Sequence, residues 1–304
     1  MDEQDKQEDQ RKLLLEIAGC NIAKERVSLL IRNKGKKDPN NTHDCDDICE
    51  FQYDIIQEAN GSKQEVTKAM FHVPEPWNGN LDKAEILFVS SNPSIDLKEK
   101  FPKFESEEEW PNDEVVGFFS NRLKSYKNRY WTGILKYAGY ILKKTDSLRA
   151  LDKKKDEDKI REIASCIALT EIVHCKSKGE TGVKKAAKTC FDTHTKSVIK
   201  HFLETRSESE TKQSETKKTV VFVGGKARDL IYAVANKNAF SIKDEPISSF
   251  CKSEFGKRGK DAHFLFVPHP NARQWKSQKS GETYKKLPNY IRQKIIDEEL
   301  EQYE

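Results

Sequence analysis

The sequence predicts an α/β fold, a three-layer α/β/α sandwich built on a central four-stranded parallel sheet. Three observations carry this. Four short runs, 85–90, 163–173, 219–223 and 263–267, are rich in apolar strand formers. Segments of helical pattern separate them. The last two runs, TVVFV and HFLFV, lack the alternation of a half-solvated strand, as expected for a sheet covered on both faces.

The elements follow in order. Residues 1–10, MDEQDKQEDQ, read as a polar tail, and Lys12 to Arg32 as a helix, with Leu13, Leu14, Ile17, Val27 and Leu30 among charges. Residues 1–44 are thus expected to form an N-terminal tail and helix, and 45–304 a single domain. Residues 33–44, NKGKKDPNNTHD, are loop by composition. The turn-rich stretch 74–80 leads into the first strand, Ile86-Leu87-Phe88-Val89, which breaks into Ser90-Ser91-Asn92-Pro93-Ser94. Taken alone, that break is an ordinary strand-to-loop turn. Val115–Leu123 and Arg129–Leu142 read as helices, and 143–160 as a solvated loop or surface helix. The second strand, Ile163 to Val173, runs into His174, Cys175 and a basic loop, KSKGETG. Residues 184–203 look helical, and the low-complexity stretch 204–218 is expected to be a mobile charged insertion. Thr219–Val223 closes on Gly224-Gly225, and a helix follows over Ala227–Val234. His263–Val267 ends in Pro268-His269-Pro270-Asn271-Ala272-Arg273, and Leu287–Tyr303 is the closing helix.

Composition narrows the function classes. The chain has 304 residues, 34% charged, with mean hydropathy −0.82 and net charge +4. The first ten residues hold five acids and one Lys, which leaves +8 on the rest, a mildly basic balance compatible with a phosphate-binding face. No apolar run approaches the roughly 20 residues of a membrane helix. The acidic N-terminus lacks a signal-peptide core, so a cytoplasmic location is expected. There the seven cysteines, 20, 45, 49, 166, 175, 190 and 251, should be reduced, catalytic or metal-bound rather than paired.

In a parallel sheet all carboxyl ends share one edge, where open α/β sheets bind ligands. That predicts Asn92, the Glu171–Cys175 segment, Gly224-Gly225 and His269 side by side: an amide, a carboxylate and an imidazole around one cleft.

These residues resemble the uracil-DNA glycosylase superfamily. Its first motif is a strand ending in Gly-x-Asn-Pro-Gly or a variant, which Ser90-Ser91-Asn92-Pro93-Ser94 matches with serines for both glycines. Asn128-Arg129-Tyr130-Trp131 and Ala138-Gly139-Tyr140 are similar to the mismatch-specific branch. LTEIVHCKSKGE (169–180), Cys190 and TVVFVGGKA (219–227) are similar to the iron–sulfur families four and five. VPHPNAR (267–273) resembles the superfamily's His-Pro motif. The resemblance covers Cys45 to Arg273 as scattered motifs.

It implies a uracil-DNA-glycosylase-like fold and a monofunctional DNA glycosylase acting on a flipped-out base. Asn92 would position the attacking water, and His269 would donate to the base as negative charge builds there. Glu171 stands where the family's uracil-reading Asn usually sits. A carboxylate accepts from an exocyclic amine, as with cytosine N4, which points to a cytosine-type base, as in modified phage DNA, and a defence role. The other reading of Glu171 is an ion pair with a Lys or Arg. Cys45, Cys49, Cys175 and Cys190 would hold a [4Fe–4S] cluster or, alternatively, zinc, although the first pair is one residue wider than in those families. His43 and His174 lie beside these cysteines and could replace one. Ser91, Ser94, Lys176 and Lys178 would hold phosphates, and Asn271 and Arg273 would enter the minor groove. Phe101, Phe104, Trp110 and Tyr126 are candidate rings to stack the base. The expected partner is DNA, bound by a monomer with no membrane. Two other readings stay open: repair of uracil or another deaminated base, and a catalytically silent, metal-stapled DNA-binding module.

Overall fold

The computed structural model describes residues 3–301 except 62–63, 106–109, 125–128, 149–150, 152–154, 206–216, 237–253, 256–260 and 271–288. The insertion expected at 204–218 lies mostly outside the described residues, as do Cys251 and the loop bearing Asn271 and Arg273. The chain forms two compact units. The first comprises Met1–Trp77, Ser91–Ser120 and Thr170–Val198. The second, the sheet unit, comprises Asn78–Ser90, Asn121–Leu169 and Ile199–Glu304.

The protein is α/β. Among the described residues its sheet has five strands: β1 (Trp77–Gly79), β2 (Ile86–Ser90), β3 (Ile167–Glu171), β4 (Thr219–Val223) and β5 (His263–Val267), in the order β1-β3-β2-β4-β5. Parallel pairing sets Ile86 opposite Thr219 and Val223 opposite Val267. β3 also runs parallel to β2, since Glu85 donates to the Cys166 carbonyl (2.8 Å) and Val173 to the Ser91 carbonyl (3.1 Å). The addition to the expected four strands is β1, which runs the other way: Glu75 bonds His174 O at 2.9 Å, while Gly79 lies against the Ile167 carbonyl. Three residues inside a turn-rich stretch show no period, so β1 left no pattern to read.

The expected strand over 163–173 is shorter than its apolar run. Its first three residues end the helix Glu157–Ser165. In the sheet unit that helix is α6, with α5 (Arg129–Ile141), α9 (Gly225–Asn236) and α10 (Asn289–Glu301). Ile86, Phe88, Ile167, Leu169, Val221, Val223, Leu265 and Val267 form one core with Ile134 and Ala138 of α5, Ile163 of α6 and Ile296 of α10. The alternate residues Leu87, Val89, Val220, Phe222 and Phe264 are buried as well. Both faces are therefore covered, and the runs are continuous for that reason.

The first unit is helical: α1 (Glu3–Ala18), α2 (Asn21–Arg32), α3 (Asp46–Asn60), α4 (Asn112–Asn121) and α7 (Val183–Cys190). The single helix expected over 12–32 is two, interrupted at Gly19-Cys20, and the expected tail is helical from Glu3. After α7 comes one π turn, Phe191–Thr195, and then α8 (Lys196–Glu204), whose residues from Ile199 on belong to the sheet unit. No helix among the described residues is long and apolar enough to cross a membrane.

Candidate functional site

The turn after β2 belongs to the first unit, and Asn92 is its keystone. Its Nδ2 lies 3.1 Å from the Pro93 carbonyl, 3.1 Å from the Cys175 carbonyl and 3.0 Å from Ser177 Oγ. Carbonyl oxygens only accept, so these contacts identify the nitrogen and fix the plane of the amide. Oδ1 has no hydrogen-bond partner among the described residues. Backbone bonds from Ser177 N to Pro93 O (3.1 Å) and from Ile95 N to Ser177 O (3.3 Å) tie the same two segments together. The half-buried Ser91 donates to Glu180 Oε1 at 2.5 Å, and Ser94 is exposed. A phosphate at Ser91 would have to displace that carboxylate.

Glu171 ends β3 and is buried, 5% exposed. Its carbonyl lies 3.2 Å from the Thr195 hydroxyl. Beyond it, burial falls on residues that the sequence placed at the surface. Lys176 is enclosed, with Nζ 3.1 Å from Glu99, 3.5 Å from Glu75 and 3.4 Å from the Phe101 ring centre. It therefore does not serve as the phosphate-holding lysine expected, whereas Lys178 is exposed. Phe101 has His72 stacked on it at 4.9 Å as well as this ammonium. Phe101 and Phe104 are both buried, which removes them as open platforms for a base. Trp110 stays half-buried against Phe118, and Tyr126 is outside the described residues.

Five thiols are buried in the same unit: Cys20, Cys45, Cys49, Cys175 and Cys190. Cys45 and Cys49 lie one turn apart on α3. Gln52, one turn further, donates to the Lys176 carbonyl at 2.8 Å, which sets Cys175 beside this helix. Thr189 bonds Asp44 at 2.9 Å and sets Cys190 beside Cys45. Burial pushes the Cys45 thiol up to about 12, with Cys20 and nearby acids adding to it. Burial likewise raises Cys49, Cys175 and Cys190, and neighbouring thiols raise them further. Such thiols stay protonated until a cation displaces the protons. Among the described residues, however, no three His, Cys, Asp or Glu side chains are grouped as a metal site.

The neighbouring histidines are otherwise engaged. His43 Nδ1 accepts from Cys45 N at 3.1 Å. His174 donates from Nδ1 to the Glu75 carbonyl (2.7 Å), while Nε2 lies 3.2 Å from the Thr195 hydroxyl. Burial, then His194, lowers His174 to about 3. With both ring nitrogens taken, His174 is not the spare ligand the sequence suggested.

His269 lies in the sheet unit, on the turn after β5. Its ring lies tilted against Tyr130 of α5, centres 5.0 Å apart at 30°, and the Tyr130 hydroxyl hydrogen-bonds Ser90 Oγ at the end of β2. Tyr137 donates to the Pro268 carbonyl at 3.0 Å. Two glycines make room for this turn. A Cβ on Gly133 would fall 2.2 Å from Pro270 Cβ, and one on Gly224, at φ +90°, 3.0 Å from His269 Cβ. Tyr130, against His269, is a residue that sequence reasoning left without a role, although it stood inside a quoted motif.

The two units thus offer a pinned amide and five buried thiols in one, and an imidazole against an aromatic ring in the other. A scan of the chain against protein-family models gives no match, and neither does a search of curated proteins.

Proposed function

We propose that the chain is a monofunctional DNA glycosylase that hydrolyses the N-glycosidic bond of a flipped-out cytosine-type base, with modified phage DNA as the substrate class. The observation that carries this reading is the Asn92 amide. Its nitrogen is held by two carbonyls and a hydroxyl, while Oδ1 has no hydrogen-bond partner among the described residues and can accept one. An amide cannot take a full proton, but a fixed acceptor can hold a water against the anomeric carbon of the sugar. In this reading the water oxygen bonds to that carbon as the base departs with the electrons of the C–N bond. His269 donates to a base carbonyl as charge collects there. Glu171 accepts from the exocyclic amine. The proton released by the water ends on solvent or the departed base. A metal bound by the thiols would supply structure, tying α3 to the segment at Cys175; no chemical step needs it.

The test is base release, followed by mass spectrometry, on duplexes carrying cytosine, hypermodified cytosines or uracil. Release of a modified cytosine that falls at least about a hundredfold in Asn92→Ala, with DNA binding retained, is the expected result. Selective release of uracil would replace this reading with repair of deaminated bases. DNA binding without release of any base would make the chain a binding module.

A further inference from the structure

Three consecutive residues of the turn after β5 are each met by α5. Tyr137 donates to the Pro268 carbonyl at 3.0 Å, the Tyr130 ring lies against His269, and Pro270 sits in the room left by Gly133. Positions 130, 133 and 137 share one face of a helix, so a single face of α5 receives the whole turn. From the β4 side, the Gly224 amide donates to the Val267 carbonyl at 2.8 Å, and this glycine leaves His269 Cβ its space. The backbone of the turn is therefore fixed. The His269 imidazole is half-buried and still turns about its side-chain bonds. The Tyr130 ring, 5.0 Å away between centres, is within the contact range of aromatic pairs and limits that rotation. Tyr130 is itself held at its far end, where its hydroxyl hydrogen-bonds Ser90 Oγ on β2. Ser90 is buried, and it is one of the serines that stand where the resembled motif has glycine. Burying two hydroxyls costs free energy unless they meet, so packing alone would be served as well by phenylalanine and alanine. All of these residues belong to the sheet unit.

We propose that Tyr130 is a positioning residue for His269: its ring sets the orientation of the imidazole, and the bond to Ser90 sets the ring. This rests on the glycosylase reading above, in which His269 donates to a carbonyl of the departing base. That donation helps only where the N–H points at the oxygen on which charge collects. A misplacement of about 1 Å costs on the order of a hundredfold in rate. Tyr130 gives up no proton and touches no substrate in this role, so its effect falls on turnover. A ring that stacked the flipped base would instead weaken binding when removed.

The experiment uses the full chain and duplexes carrying cytosine, hydroxymethylcytosine, glucosylated hydroxymethylcytosine or uracil, continuing with whichever base the wild-type protein releases. kcat, KM and duplex affinity are measured for wild type, Tyr130→Leu, Tyr130→Phe and Ser90→Ala. The His269 imidazole proton resonance, assigned by its loss in His269→Gln, is followed alongside. Tyr130→Leu is expected to lower kcat by at least about thirtyfold with KM and affinity within about twofold, and to shift the imidazole resonance as the ring current is removed. Tyr130→Phe keeps the ring and frees it from Ser90. It is expected to recover most of that rate, ending about threefold below wild type, and Ser90→Ala to match it. If kcat holds in Tyr130→Leu, or if the loss appears in KM instead, this inference falls and the glycosylase reading stands. If the wild type releases no base, that reading falls and this inference with it. Should Tyr130→Leu fail to fold, Tyr130→Phe and Ser90→Ala decide, since unchanged kcat with an unchanged imidazole resonance in both would overturn the proposal.

Discussion

In the sheet unit, Phe88, Val221 and Leu265 lie in three adjacent strands and bury nothing but hydrocarbon. In the first unit, comparable depth holds an ammonium at Lys176, a guanidinium at Arg26, imidazoles at His174 and His194, and five thiols. The difference teaches what each interior specifies. Hydrocarbon packing tolerates exchange among side chains of similar volume, and its free energy follows area. A polar interior tolerates one arrangement, because each displaced partner leaves a desolvated group behind. The strand core of the sheet unit reads as scaffold, and the interior of the first unit as the part whose geometry is chemically particular.

Four single substitutions would break or sharpen that contrast, best followed by hydrogen exchange resolved along the sequence. Phe88→Ala should have the largest effect, about 3–5 kcal/mol, through the cavity it opens, with protection lost first in β2, β4 and β5. A smaller loss confined to the first unit would void the contrast. Lys176→Met should cost about 3 kcal/mol in the first unit, because Glu75 and Glu99 lose their counter-charge. Adding Glu75→Gln to Lys176→Met should restore part of that, and a neutral single variant would show that the charge is not needed. Gly133→Ala should cost about 1–3 kcal/mol by driving Pro270 off α5. Its signature is a shifted His269 imidazole resonance with β4 protection unchanged.

The smallest effect belongs to His194. It is 5% exposed, and neither ring nitrogen has a hydrogen-bond partner among the described residues. Burial lowers it from 6.5 to about 4. The unfolded chain therefore takes up a proton below pH 6.5 that the folded chain refuses, and stability falls as pH drops from 6.5 towards 4. His194→Phe should change stability at pH 7 by less than about 1 kcal/mol and flatten this acid decline. An unchanged acid midpoint in chemical denaturation would assign the decline to other groups.

The same contrast governs what the sequence could disclose. β4 and β5 were legible to the residue because apolar runs stop at Gly224 and Pro268, residues that end strands for local reasons. The core face followed from those runs. The π turn and β1 were hidden, because each depends on partners distant in the chain rather than on period. The site was half legible. Asn92 and His269 stand at strand ends, which pattern can find. Burial of Lys176 between Glu75 and Glu99, and Ser91 bound to Glu180, depend on pairings 77 to 101 residues apart that no local pattern encodes.

The pinned amide of Asn92 also limits how this chain could evolve. One nucleotide change turns an Asn codon into an Asp codon, and a carboxylate would be the stronger base toward water. At position 92 that carboxylate would face the Pro93 and Cys175 carbonyls, which have no hydrogen to give. It would either be repelled from the turn or hold a proton and lose its basicity. Under the proposed role of Asn92, a stronger base one mutation away is closed to this backbone, and gaining one has to begin by rebuilding the loop at Cys175.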